Sequence, residues 1–251
     1  MRDRLRILKP EKLKVPPHIK LGFSTRQGGV SPEPFQSLNM SISRGDLPLN
    51  VNQNRRLFLD ALGVPESGLA QAVQISRDCV RQVETTGEYP DCDAMITSST
   101  KVYLSILTAD CTPILIWADH NPVIAAVHSG WQGSELDLLG KTIKMMITDY
   151  HVKSDSLNLV IGPGLSREYF EVGPEFRTKF PPAYLKGHQG SGKIFFDHNA
   201  YLRESAIRQG VPGHKIEILD YCSYRDEDLF FSHRRDRGIT GRMISVIGMS
   251  E

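Results

Sequence analysis

Short apolar runs rich in β-branched residues follow one another through the middle of the chain. AMIT, VYLSIL, PILIWA and VIAAV lie between residues 94 and 127, and AVQI and VRQV precede them. Runs of this length and composition suit strands that are buried on one or both faces. Because each strand needs partners, the sequence predicts a central sheet, extended nearer the C-terminus by LNLVI, IEIL and ISVIGM.

Segments with helical periodicity lie on either side of these strands. Apolar side chains recur at helical spacing over residues 50–63, which end on a glycine, and over residues 134–150. Shorter helices are predicted within residues 172–180, 199–211 and 225–231. No internal repeat or linker divides the chain. The pattern therefore predicts a lead-in over residues 1–20 and a single α+β domain over residues 21–251.

Composition and charge restrict the class of protein. Of the 251 residues, 40% are hydrophobic, which is enough for a sizeable core. The formal net charge of +1 gives no electrostatic reason to expect nucleic acid or an anionic membrane as a partner. Charges interrupt each apolar run before it reaches the length of a signal peptide or a membrane span, so a cytoplasmic protein is expected. The four cysteines form no CxxC pair and are expected to be free thiols.

Three glycine-containing loops are candidates for binding segments. Residues 23–41 form a long loop with small polar groups, which indicates a functional segment or a plain connection. Residues 232–242 combine four arginines with two glycines, which indicates a solvated turn or a phosphate subsite. Residues 187–194 resemble a P-loop, but Ile194 replaces the hydroxyl residue that such loops need, so a surface loop is predicted there.

Polar residues that could take part in catalysis interrupt two of the buried runs. LTADCTPILIWAD places Asp110 and Cys111 side by side, and IAAVHSGWQG places His128 at the end of the next strand. Neighbouring strands would bring Cys111 and His128 together at one end of the sheet. Each of the two alone has a plain structural explanation, as a small buried thiol or a satisfied core histidine. A buried, unpaired Asp110 would be costly, so the combination favours a catalytic site.

Two chemistries are open to such a thiol and imidazole. They can share a zinc ion with a third ligand and leave one position for water or substrate. Alternatively, the imidazole of His128 can activate Cys111 as a nucleophile.

These motifs resemble those of the YfiH family, also called the laccase-domain or DUF152 family. FSTRQGGVSPEPFQSLNM, DCDAMIT, LTADCTPILIWAD, AAVHSGWQG, LVIGPGLSREYFEVG and FFSHRRDRGITGRM occur in the family's order from Phe23 almost to the C-terminus. The resemblance implies a sandwich of mixed sheets flanked by helices, likened to the catalytic domain of cytotoxic necrotising factor. It also implies phosphorolysis of adenosine, inosine and methylthioadenosine, with adenosine deamination alongside. Purine nucleoside and phosphate are the partners expected, and the oligomeric state is left open.

The resemblance further implies a catalytic zinc held by two histidines and one cysteine. Cys111 and His128 match two of these positions, whereas Ser76 stands where the family has the histidine of QVHG. A serine hydroxyl is a poor zinc donor, so weaker metal binding and impaired activity are expected. Cys79 or His233 would replace the missing ligand, or zinc would be lost.

The resemblance assigns roles to further residues. Cys111, His128 and Asp110 are the expected catalytic residues, and Arg26, Arg55 and Arg242 are the expected phosphate ligands. A zinc-bound water would attack the purine ring at its amino carbon.

Three other functions compete with phosphorolysis. A thiol hydrolase would use Cys111 and His128 against an amide or a peptidoglycan precursor. A relative without catalysis would bind purines only. A copper oxidase of polyphenols is disfavoured, because the eight histidines of the chain form no HxH pair of the kind that multicopper centres use.

Overall fold

Two six-stranded mixed sheets form the centre of the protein, in a computed structural model that describes residues 4–187 and 192–250. The strands are β1 (Ile7–Leu8), β2 (Ile19–Ser24), β3 (Leu69–Val73), β4 (Val80–Gln82), β5 (Gly87–Pro90), β6 (Ala94–Thr97), β7 (Tyr103–Thr108), β8 (Thr112–Ala118), β9 (Ile124–Ser129), β10 (Leu157–Ile161), β11 (Glu171–Val172), β12 (Leu185–Gly187), β13 (Ile194–Phe196), β14 (Ile216–Ile218) and β15 (Met243–Met249). The helices are α1 (Pro48–Leu62), α2 (Trp131–Glu135), α3 (Leu138–Asp149), α4 (Phe176–Lys179) and α5 (His198–Arg208).

Strand order shows how the sheets are assembled. The first sheet has the order β1-β2-β15-β7-β3-β5, and the second has the order β14-β10-β8-β9-β6-β4. A small third sheet has the order β11-β13-β12. Most neighbours are antiparallel, but β3 pairs in parallel with both β5 and β7, β4 with β6, and β10 with β14. This arrangement confirms the predicted single α+β domain with mixed sheets.

The apolar side chains divide among the layers as the alternation of a strand requires. Trp117 and Leu104, from the second and first sheets, meet in the core between the sheets. Ile116, on the other face of the second sheet, packs with residues of α3 and α5. Val246, on the outer face of the first sheet, packs with residues of α1. The protein is therefore a four-layer stack with helices outside and sheets inside.

Most helices and strands predicted from the sequence are present in the structure, and one predicted helix is not. The strands predicted in the middle of the chain and the helices over residues 50–63 and 134–150 are present within a few residues, although a break at Leu136–Asp137 separates α2 from α3. The helix predicted over residues 225–231 is wrong, because that segment forms turns. Arg235 binds the carbonyl oxygen of Phe230 there, and two consecutive side chains, Phe230 and Phe231, are buried.

The predicted lead-in packs against the domain. Its residues 7–8 form β1, and the backbone amides of residues 11–13 donate to the buried carboxylate of Glu217. Residues 188–191, within the P-loop-like segment, lie outside the described residues. No helix in the described parts of the chain is long and apolar enough to cross a membrane.

A buried histidine joins α5 to the second sheet. His198 Nε2 lies 2.6 Å from Ser134 Oγ, and Nδ1 lies 3.3 Å from Thr112 Oγ1. Burial, with a smaller contribution from the charge of His128, lowers the pKa of His198 to about 3. The ring is therefore neutral in the folded protein at pH values where an unfolded chain takes up a proton.

This difference makes stability fall in acid. Between the unfolded pKa near 6.5 and the folded value near 3, the unfolded state binds more protons, so the free energy of unfolding falls as the pH falls. From pH 7 to pH 5 the loss due to His198 is about 2 kcal/mol. In His198→Gln this loss should disappear from the wild-type pH dependence, as measured by urea unfolding at both pH values. The exposed His214, changed to Gln, is the control; an unchanged acid slope in His198→Gln would contradict the prediction.

Candidate active site

Three neighbouring strands of the second sheet present polar residues at the same end. His128 is in β9, which pairs with β6 on one side and β8 on the other. Asp93 directly precedes β6, and Cys111 directly precedes β8. Because β9 runs antiparallel to both partners, its end meets their beginnings. The sheet thus brings Asp93, His128 and Cys111 together, which sequence reasoning expected for the last two.

His128 is held between the other two residues. Its Nδ1 lies 2.8 Å from Asp93 Oδ1, and its backbone amide donates to the Asp93 carbonyl oxygen at 2.7 Å. The Cys111 side chain lies close enough to the ring to act on its charge. Burial alone would lower the pKa of His128, but Cys111 and Asp93 outweigh it and raise the pKa to about 9. The charged imidazolium is therefore favoured at neutral pH.

Asp93 organises the loop that follows β3. Its fully buried carboxylate accepts the backbone amides of Ile75, Ser76 and Arg77 at 3.2, 3.0 and 2.8 Å. Burial alone would raise the pKa of Asp93; hydrogen bonds from His128 and these amides outweigh it and hold the pKa below its usual value. Ser76 has the left-handed φ of 58° within this loop. Asp93 therefore fixes both the histidine ring and the position of Ser76.

The carboxylate of Asp110 is hydrogen-bonded to the C-terminal segment. Its carboxylate accepts the hydroxyls of Ser223 and Ser232 and the backbone amide of Arg234, each at 2.7 Å. With these partners the carboxylate joins the loop before β8 to the C-terminal segment. Asp110, predicted as a catalytic residue, does not line the cavity described next; its contacts hold the residue before Cys111 to the segment that contains His233.

A cavity of about 500 Å³ opens in front of Cys111 and His128. Three guanidinium groups reach it, those of Arg44, Arg55 and Arg242. Arg55 is anchored by donating from Nε and Nη2 to the Met40 carbonyl oxygen. The cavity therefore has a polar floor and a strongly cationic wall.

The arginines of the cationic wall outnumber the carboxylates among the described residues that line the cavity. Burial, followed by repulsion from Arg44, lowers the pKa of Arg242 to about 10, although Cys111 and Asp110 oppose this. Arg242 Nη1 donates to the carbonyl oxygens of Thr240 and Gly241, which orient the guanidinium without neutralising it. An anion entering the cavity would therefore relieve repulsion and gain charge-assisted hydrogen bonds.

Arg26 does not belong to this wall. Its Nε donates to the Gln36 carbonyl oxygen at 2.7 Å and its Nη1 to the Glu227 carbonyl oxygen at 3.2 Å. Its guanidinium lies 4.7 Å from the Phe231 ring centroid. The predicted phosphate role of Arg26 is thus replaced by one in holding the long loop over residues 23–41 against the C-terminal segment. Of the arginine-rich residues 232–242, His233 and Arg242 line the cavity.

The donors around Cys111 do not fit the zinc site that the resemblance implies. Within residues 4–187 and 192–250, no group of three or more His, Cys, Asp or Glu side chains is arranged to hold a metal ion. His233 lines the cavity, whereas Cys79 does not. Cys79 lies near Cys92, where it adds to the effect of burial in raising the pKa of the Cys92 thiol. Two good donors, Cys111 and His128, are present where structural and catalytic zinc sites use at least three.

Restoring an imidazole at residue 76 should create the missing ligand. The left-handed backbone at Ser76 suits His, which is enriched in that conformation. We expect purified Ser76→His to hold about one zinc per chain and to bind zinc at least tenfold more tightly than the wild type. Elemental analysis and competition with a chromogenic chelator measure both quantities. Ser76→Asn, which suits the same backbone but is a poor zinc donor, should behave as the wild type; equal zinc binding in all three would contradict the prediction.

Sequence reasoning missed several residues of the site. Asp93 precedes the apolar run AMIT just as Asp110 precedes PILIWA, so the same argument about buried carboxylates applied to it. Arg44, Gln71 and Glu88 gave no such signal: Arg44 ends a short 3₁₀ helix, Gln71 is in β3 and Glu88 is in the edge strand β5, all with ordinary polar composition.

Comparisons with known proteins agree with the motifs. The family model described as multi-copper polyphenol oxidoreductase laccase matches residues 20–250. A Deinococcus radiodurans protein named purine nucleoside phosphorylase is 32% identical over 98% of this chain and 93% of its own length. A Shigella flexneri protein named purine nucleoside phosphorylase YfiH is 30% identical over 93% of this chain and 95% of its own length.

Solved structures show the same fold. YlmD from Geobacillus stearothermophilus superposes with a TM-score of 0.88 at 29% identity, covering 94% of this chain and 93% of that one. A Neisseria meningitidis protein of family DUF152 superposes with a TM-score of 0.84 at 32% identity, covering 99% and 100% of the two chains. With the family model matching almost its whole length, this chain belongs to the YfiH, or laccase-domain, family.

Proposed function

We propose that the protein is a purine nucleoside phosphorylase. The observation that supports this most directly is the convergence of Arg44, Arg55 and Arg242 on the cavity whose floor holds Cys111 and His128. Orthophosphate is the substrate that such a cationic wall would bind and orient. The names of the relatives from Deinococcus and Shigella support the same activity.

The chemistry follows from this placement. Bound phosphate attacks C1′ of the ribose, forming a C1′–O bond while the bond from C1′ to the purine nitrogen breaks. The leaving purine takes a proton from His128, whose pKa of about 9 keeps it protonated at neutral pH. The proton carried by the attacking phosphate then restores the imidazolium. Asp93 orients the ring throughout, as the carboxylate does in a catalytic triad.

Adenosine, inosine and methylthioadenosine are the substrates that we propose. Deamination of adenosine would require a water molecule activated beside Cys111 and His128. Release of ammonia from adenosine tests for this second activity. With two good zinc donors in place of three, we expect phosphorolysis to proceed with this chain's own residues. Tight purine binding without release of free base would instead identify a relative that only binds purines.

Removing one guanidinium should weaken phosphate binding. Arg44 is the best choice, since it is exposed at the cavity and its side chain makes no hydrogen bond to another described residue. Arg44→Gln should raise the KM for phosphate about tenfold and leave the KM for inosine within about twofold. Release of hypoxanthine from inosine at varied phosphate concentrations measures both.

The matched control is Arg56→Gln, which removes an exposed arginine of α1 outside the cavity. It should leave the phosphate KM unchanged. An unchanged phosphate KM in Arg44→Gln would remove the anion site from the proposal, and the absence of phosphate-dependent base release from the wild type would overturn the phosphorylase itself.

A thiol hydrolase is the second candidate, and one observation favours it. Cys111, His128 and Asp93 have the order of nucleophile, base and orienting carboxylate found in cysteine hydrolases. The substrate would be an amide, including that of a peptidoglycan precursor.

Thiol labelling distinguishes this candidate. In chelator-treated protein at pH 7, iodoacetamide should label Cys111 at least tenfold faster than Cys79, the other partly exposed thiol, because His128 activates the former. His128→Gln should remove the difference. Peptide mass spectrometry follows both sites in one sample, and equal rates at Cys111 and Cys79 in the wild type would argue against an activated nucleophile.

A further inference from the structure

We propose that Glu88 and Gln71 bind the ribose hydroxyls of the substrate and select ribonucleosides over 2′-deoxyribonucleosides. This inference rests on the proposed phosphorylase function and adds the sugar subsite of the same cavity. It concerns two residues that the reaction itself does not use.

Strand pairing sets the two side chains next to each other. Gln71 in β3 and Glu88 in β5 are register partners in a parallel pair. Partners in a parallel ladder direct their side chains to the same face of the sheet. Both residues line the cavity, and so does Val73, two positions after Gln71 on the same face. The edge of the first sheet therefore presents an amide and a carboxylate side by side.

Both groups are available to a ligand. Neither side chain hydrogen-bonds another residue within the described parts of the chain. Gln74, the other glutamine of the cavity, differs because its amide exchanges hydrogen bonds with the Leu107 backbone at 2.7 and 2.8 Å. Glu88 is also the single carboxylate among the described residues that line the cavity.

A site that binds only an anion has no use for a carboxylate, because the two negative charges repel each other. Glu88 therefore indicates a ligand that also has neutral hydroxyl groups. Glu88 lies close enough to Arg55 to act on its charge, opposing the effect of burial. A carboxylate beside the cationic wall weakens phosphate binding, so its presence there is explained if it serves another part of the substrate. Acidic side chains bind ribose hydroxyls in many nucleotide sites, since a carboxylate accepts from both hydroxyls of a diol.

The position also suits the reaction. The 2′- and 3′-hydroxyls lie on the face of the ribose from which phosphate attacks C1′. Arg55, which is near Glu88, would hold phosphate on that face. Glu88 would accept hydrogen bonds from the hydroxyls, and Gln71 would both donate and accept. A 2′-deoxy sugar would lack the hydroxyl that donates to Glu88, and a site built to hydrogen-bond a hydroxyl disfavours the analogue that lacks it.

The test compares adenosine with 2′-deoxyadenosine. The wild type should show a higher kcat/KM for adenosine at saturating phosphate, and Glu88→Gln should reduce that preference by about tenfold or more. Gln71→Ala should reduce it less. Glu66→Gln is the matched control, because Glu66 also acts on Arg55 but does not line the cavity. It should retain the wild-type preference.

Equilibrium binding of the two nucleosides, measured calorimetrically in the same variants, separates this inference from the function on which it rests. A binding preference for adenosine that is lost in Glu88→Gln would support the subsite even if no base is released. Equal wild-type binding and turnover of the two nucleosides would overturn it. An unchanged preference in Glu88→Gln would also overturn it, while leaving phosphorolysis in place.

Discussion

The hydrogen bond between Asp93 and His128 is the interaction on which the site depends. A buried carboxylate is costly unless it is fully paired, and Asp93 has His128 and three backbone amides as donors. The same group therefore orients the imidazole, favours its charged form and fixes the loop that contains Ser76. Removing it would loosen both sheets at the site, because the loop after β3 follows a strand of the first sheet and His128 is in a strand of the second.

The distribution of charge in the cavity matches a substrate with two parts. The guanidinium groups of Arg44, Arg55 and Arg242 lie near one another, and the imidazolium of His128 lies at the floor. A single carboxylate, Glu88, stands beside this cationic region among the described lining residues. An arrangement of this kind accommodates an anion and a polyhydroxylated neutral group together, which is what a reaction between phosphate and a nucleoside requires.

The sequence predicts the residues at the centre of the site but not those around the edge of the cavity. Cys111 and His128 were predicted to meet because they terminate strongly patterned strands, and strand pairing is regular. Arg26 was misplaced because membership of a motif says nothing about whether a guanidinium points to a cavity or to carbonyl oxygens. Gln71 and Glu88 come together through a parallel pair whose register is a long-range property of the sheet. The resemblance to the YfiH family added the fold, but the local change at Ser76 limits what it says about metal.

The place of β15 in the first sheet has a consequence for how the protein is made. This strand, Met243–Met249, lies between β2 and β7, and Asp110 is tied to residues 223, 232 and 234. β2 and β7 therefore each lack one of their two neighbours until β15 is available. During synthesis, β2 and β7 can be joined only after residues 243–249 have emerged from the ribosome, so the sheet behind the cavity is completed later than the strands on either side of β15.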